Sequence, residues 1–128
     1  MSEIKVDTLT GKATAGDITV TSEGGAATMQ LQQGLGKAWV NYSQADNTVR
    51  DSLNITSVTD ISIGLHAYVF FNNMSNANWA GGFITRDNRH QWNTDEGATT
   101  GRSVRVAQSN NVVLDCHSNT LICMGDLS

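Results

Sequence analysis

LHAYVFF (residues 65–71) is the most apolar run of the chain, and it reads as a central β-strand. Working outward from it, AWVNY (38–42), TVRDSLN (48–54) and ITSVTD (55–60) alternate apolar and polar residues upstream. Downstream, WAGGFITRD (79–87), SVRVAQS (103–109), NVVLDCH (111–117) and TLICMGD (120–126) complete the set. NNMSNAN, the stretch around 94–101, SNN and HSN supply turns. Short strands at such spacing predict an all-β domain, an antiparallel β-sandwich of jelly-roll-like form. The turns of about two residues between Ser103 and Gly125 predict a meander there.

Composition agrees with strands. The chain has 128 residues, enough for one domain or one domain with a short appendage. Only 39% of residues are apolar and 16% charged, and Thr, Ser, Asn and Gly fill more than a third of the chain. Proline is absent. This balance argues against a helical bundle and against a charge-driven disordered tail. A net charge of −4 argues against a protein that coats nucleic acid. No apolar run approaches the ~18 residues that span a bilayer, and MSEIKVDT lacks a signal-peptide core, so synthesis in the cytoplasm without membrane insertion is expected. Cys116 and Cys123 have no zinc spacing and read as reduced, half-buried thiols.

The first part of the chain differs. Residues 1–36 contain no aromatic residue, whereas every aromatic lies between Trp39 and Trp92. Within residues 1–25, Ile4 and Val6, then Ile18 and Val20, alternate as two strand-like patches around a turn-like LTGKATAGD. With Leu9, these are too few to offset an ordering cost of ~1–2 kcal/mol per residue. The segment is either disordered or buries its apolar side against another chain, and the alternation favours the second. Ala27, Leu31 and Leu35 then recur at helical spacing, predicting a short helix over 26–36 that Gly34 and Gly36 end. So short a helix needs a neighbour, either the downstream domain or copies of itself. The expected organisation is an attachment and trimerisation segment (1–25), a helical linker (26–36) and a β-sandwich domain (37–128).

Chemistry leaves few traces. No nucleophile elbow, zinc-protease motif, P-loop or dinucleotide fingerprint occurs. His66, His90 and His117 share no metal-ligand spacing; His66 reads as a satisfied, half-buried histidine, and His117 beside Cys116 lacks further ligands. Asp95-Glu96 reads as a solvated loop, and carboxylate pairs for glycoside hydrolysis are assembled by the fold, not by spacing. The expectation is a non-enzyme without cofactor or metal. The stretch TRDNRHQWN (85–93) is the best candidate for recognition, because Arg and Trp dominate binding hot spots and an aromatic face with polar donors suits a sugar ring. Its alternative is a long polar hairpin whose Trp92 packs back onto the sheet. The candidate receptor- or glycan-binding set is Trp79, Arg86, Asn88, Arg89, His90 and Trp92. Trp39, where the first strand begins, is expected to be a core residue.

Several motifs taken together resemble a family of short tail-fibre and related virion proteins of tailed, often marine, bacteriophages. They are IKVDTLTGKATAGDITVTS, then Lys37-Ala38-Trp39-Val40-Asn41-Tyr42, then Arg50 to Ser57. The aromatic run Tyr68 to Phe71 and Met74-Ser75-Asn76-Ala77-Asn78-Trp79 follow in order. The likeness covers residues 1 to about 80. ISIGLH after Asp60 replaces an expected Gly/Asp-rich turn, and no long shaft repeat is present. The resemblance implies a virion structural protein, commonly a homotrimer, with an N-terminal attachment region and a distal β-domain. Three copies would wind Ile4, Val6, Leu9, Ile18, Val20, Ala27, Leu31 and Leu35 into one shared apolar interface.

The function expected first is therefore a trimeric tail-fibre or adhesion protein, made in the bacterial host cytoplasm and carried in the virion. Its N-terminus would bind other tail or capsid proteins, and its β-domain a host-surface glycan or protein. The alternatives are a capsid decoration or head-fibre protein and, in another class, a small glycan-active enzyme.

Overall fold

A computed structural model describes residues 3–14, 17–25, 27–86, 89–94 and 98–128, with Asn93 described by its backbone. The chain divides into two compact units, Met1–Leu35 and Gly36–Ser128. Among the described residues there are strands but no helix.

In the first unit, β1 (Thr19–Thr21) pairs antiparallel with β2 (Thr28–Gln30), with Val20 opposite Met29. The turn between them uses Gly25 at φ +71°, a conformation that favours glycine. The helix expected over 26–36 is not formed: Thr28–Gln30 is a strand, and residues 31–34 turn. Between Gly25 and Gly34 there are too few residues to repay helix nucleation, and Thr28 favours an extended backbone that β1 can pair. Ile4 and Val6 lie outside any strand, so the first alternating patch has no ladder partner here.

The second unit is two four-stranded antiparallel sheets. Sheet 1 runs β4 (Thr48–Leu53), β3 (Ala38–Ser43), β10 (Asn119–Met124), β7 (Ala80–Thr85). Sheet 2 runs β5 (Ile55–Ser62), β6 (Leu65–Phe70), β9 (Gly101–Gln108), β8 (Arg89–Asn93). Alternation sends Ala38, Val40, Tyr42, Leu121 and Cys123 from sheet 1, and Tyr68, Phe70 and Val104 from sheet 2, into one buried cluster. The unit is therefore β-sandwich-like, and LHAYVFF is an interior strand of sheet 2. A jelly roll nests its strands, pairing first with last and second with seventh. Here β3 and β10 pair, but β4 and β5 are edge strands held by hairpins to β3 and β6.

Asparagines make the sharp turns. Asn47 closes the β3–β4 hairpin at φ +48° and accepts the Tyr42 hydroxyl proton at 2.9 Å. Asn54, at φ +57°, carries the chain from sheet 1 to sheet 2; its side chain accepts from the Asn72 N–H and donates to the Asn72 carbonyl. Gly64, at φ +63°, turns β5 into β6, and a Cβ there would stand 2.6 Å from the Val106 carbonyl oxygen.

Three expectations for the C-terminal third are corrected. NVVLDCH is not a strand beyond an isolated bridge from Val113 to Ala107. It is a strap: Asp115 accepts the Gly64 N–H at 2.7 Å, and the Cys116 carbonyl accepts the Gln44 N–H at 2.9 Å. The expected meander is absent because β9 and β10 belong to different sheets. Residues 89–93, part of the polar stretch 85–93 that was not among the expected strands, form edge strand β8. Cys116 and Cys123 are free and fully buried, and burial pushes the Cys123 thiol up to about 12.

Candidate recognition surface

Strand β8 sorts its side chains by face. Arg89 and Gln91 turn toward the sandwich, where the Arg89 guanidinium donates to the Asp115 carbonyl and the Gln91 amide to Asn119 Oδ1. His90 and Trp92 stand on the outer face of sheet 2, their ring centroids 5.7 Å apart and their planes tilted by 32°. In the ladder Trp92 is opposite Arg105, which is in turn opposite Leu65. Trp92 keeps 38% of its surface exposed. Beyond them, a shallow hollow of about 220 Å³ is lined by Ala67, Val69, Ala98, Thr100, Gly101 and Ser103. An aromatic face beside a guanidinium, an imidazole and a floor of small residues can stack a ring and bond its hydroxyls.

Of the six residues expected at a binding surface, His90 and Trp92 come together. Arg86 is exposed in the β7–β8 connection, and Asn88 lies outside the described residues. Arg89 faces inward. Trp79 is a core residue, 5% exposed: its indole N–H donates to the Ala98 carbonyl at 3.0 Å, Phe70 meets it edge-on at 5.2 Å, and the Arg102 guanidinium lies 4.1 Å over its ring. Arg105 joins the surface only through the pairing of β8 with β9, a long-range contact that spacing along the chain does not encode. Trp39, expected in the core, points outward and is half-buried between Leu53 and Ile122, because Ala38 and Val40 take the inward positions.

His66 is more deeply buried than its sequence position suggested. Tyr68 O–H donates to His66 Nε2 at 2.7 Å, and His66 Nδ1 meets Gln44 Oε1 at 3.3 Å. Gln44 Nε2 donates to Asp60 Oδ1 and the Ser62 carbonyl, each at 3.1 Å, which orients the amide and assigns the His66 proton to Nδ1. Burial lowers the His66 pKa to about 4, although Asp60 and Asp115 pull it upward. This chain of bonds ties the β3–β4 turn of sheet 1 to β6 of sheet 2, so its role is to hold the sandwich together.

Among the described residues no group of three or more His, Cys, Asp or Glu side chains is placed to hold a metal ion, and no helix is long and apolar enough to cross a membrane. The chain matches no protein-family model, no curated protein and no solved structure.

Proposed function

We propose that this chain is a non-enzymatic virion structural protein of a tailed phage, a trimeric tail-fibre or adhesion protein. The observation that carries the reading is the exposure of the N-terminal unit. Ile4 (85%), Leu9 (60%), Val6, Met29, Leu35 and Val20 all present apolar surface to solvent, whereas the second unit has its own core. Apolar side chains left so bare on an alternating segment are suited to association with other chains. The likeness to short tail fibres supports the reading, and its motifs fall where the β-domain needs them: Lys37–Tyr42 leads into β3, Arg50–Ser57 spans the crossing at Asn54, and Met74 and Trp79 are buried.

In this reading residues 1–36 assemble three copies and dock to the virion, and the outer face of sheet 2 meets the host surface through Trp92, His90 and Arg105. Single contacts of modest strength are multiplied by three-fold display. Light scattering on the full-length protein at tens of micromolar should give the mass of three chains; a single-chain mass overturns the assembly role. Antibody labelling of phage particles should mark the fibre tips. Labelling spread over the capsid favours a decoration or head-fibre protein instead.

A further inference from the structure

The chain has five arginines, and four of them are engaged within it. The Arg50 guanidinium donates to Asn41 Oδ1 at 3.4 Å, Arg89 donates to the Asp115 carbonyl, and Arg102 lies over the Trp79 ring. Arg86 also has a partner. Arg105 differs: among the described residues nothing bonds its guanidinium, and no carboxylate occupies an outward ladder position on its face. The side chain is nevertheless half-buried, because it stands in the ladder between Leu65 on β6 and Trp92 on β8. Its apolar stem has neighbours on both sides, while its charged end stays unspent. Leaving one fixed guanidinium unpaired beside an exposed indole gives the face a definite chemical preference.

Residues directly opposite in a ladder hold their Cβ atoms about 5 Å apart, close to the width of one pyranose ring. A ring stacked on the Trp92 indole therefore carries its exocyclic groups to the neighbouring strand, within reach of Arg105. Along β8, His90 lies on the other side of the indole, its ring centroid 5.7 Å away, where it can bond a ring hydroxyl. A guanidinium fork matches a planar carboxylate, and its charge-assisted bonds are roughly twice as strong as neutral ones. We propose that this site takes a carboxylate-bearing pyranose of the hexuronic-acid class, with the sugar ring on Trp92 and the carboxylate on Arg105. The assignment rests on the recognition role given above to the outer face of sheet 2 and names the sugar that role would read. A neutral hexose can stack on Trp92 but leaves the fork unfilled. The net charge of −4 opposes an acidic ligand only at long range, since physiological salt screens charges beyond about 8 Å.

The test titrates the full-length protein at pH 7 with methyl glucuronide and, separately, with methyl glucoside, which differ only in a carboxylate against a hydroxymethyl group. The readout is the indole N–H signals of Trp39, Trp79 and Trp92 by NMR, assigned with Trp92→Phe. The glucuronide should move the Trp92 signal alone, at a concentration about tenfold lower than the glucoside needs. Arg105→Gln, with an unchanged melting temperature, should abolish that preference and leave the two sugars equal. Equal response of the wild type to both sugars overturns the proposal. A preference that survives Arg105→Gln, or no movement of Trp92 with either sugar, overturns it as well. If host attachment still depends on Trp92 when neither sugar binds, the face reads a protein, and the adhesion role stands while the sugar class falls. Glucuronide binding as expected, with attachment indifferent to Trp92→Ala, separates the two in the other direction: the sugar site stands and its role in adhesion falls.

Discussion

The N-terminal unit and the β-sandwich-like unit use the same alternation of apolar and polar residues, with opposite results. In β3 the alternation buries Ala38, Val40 and Tyr42 against β6 and β9, because a second sheet lies opposite. In β1 and β2 it brings Val20 and Met29 side by side in the ladder, yet both remain exposed. A two-stranded ribbon has no opposing layer and is marginal on its own. The difference teaches that alternation prescribes a face, and only a partner layer makes that face a core. One unit supplies its partner layer from its own chain; the other, in the assembly proposed above, would take it from another chain.

The largest expected effect breaks the core of the second unit. Trp79→Ala removes the edge contact with Phe70, the indole bond to Ala98 and the ring under Arg102. It should cost about 3–5 kcal/mol in urea unfolding, as large aromatic truncations in cores do. Trp39→Ala, on the half-exposed outer face, should cost well under half of that. Equal losses would mean that the two tryptophans are equally buried, and the assignment of faces in sheet 1 would fail.

Next in size is the pH dependence of the tie between the sheets. The folded-state pKa of His66 lies at about 4, below its unfolded value of 6.5. The unfolded chain therefore binds the proton more readily, so stability falls as pH drops through 6.5 and the loss is complete below about 4. At about 1.4 kcal/mol per pKa unit this amounts to about 3 kcal/mol. Unfolding followed from pH 7 to pH 4 should show a fall of that order from this residue. His66→Gln, which keeps a partner for Tyr68 and Gln44, should flatten the profile over that window. A profile unchanged by the substitution would show that His66 titrates normally and that its ring is not sealed between the sheets.

How far the sequence reached follows the same division between local pattern and partner. The strands from Ala38 to Phe70 were legible because three of them mix apolar and polar residues in an alternating manner, the fourth is the most apolar run, and turn residues separate them. Which sheet each strand joins was not, since Asn54 switches sheets in a single residue and nothing in the spacing of β9 and β10 separates them. Val112-Val113-Leu114 looked like strand but spends its bonds on a strap across the sandwich. At the candidate recognition surface, the composition of 85–93 singled out a stretch whose second half is β8, and the two-residue period of that strand divides it, sending Arg89 in and Trp92 out. Trp79 was misassigned because an aromatic beside asparagines resembles a binding loop until Phe70 and Arg102 are seen to enclose it.

A smaller effect concerns that surface. Trp92→Ala removes an outward ring and should change stability by less than about 1 kcal/mol, within the range of surface substitutions away from buried contacts. If sheet 2 faces the host receptor, the same change should weaken single-site attachment to host cells about thirtyfold, the ~2 kcal/mol of a hot-spot truncation. Arg105→Ala, across the ladder, should act in the same direction. Attachment that survives both substitutions in correctly assembled protein would remove the recognition role from this face.

The smallest effect on folding is expected in the N-terminal unit, where it tests the contrast between the units most directly. Val20 is 43% exposed and faces Met29 across a two-strand ribbon, so Val20→Asp removes little packing within its own chain. The urea midpoint of the β-domain, read through its tryptophans Trp39, Trp79 and Trp92, should move by no more than about 0.5 kcal/mol, since every aromatic residue lies in the second unit. If residues 1–36 assemble three copies as proposed, the mass of the assembly should respond instead. Three charges brought together near one axis would repel in a medium drier than water, and light scattering should show the trimer giving way to single chains at micromolar concentration. A variant that remains trimeric would show that Val20 lies off the shared interface. A variant that unfolds the β-domain would show that the N-terminal unit is needed for the stability of the sandwich, and the contrast between an open unit and a self-contained one would no longer hold.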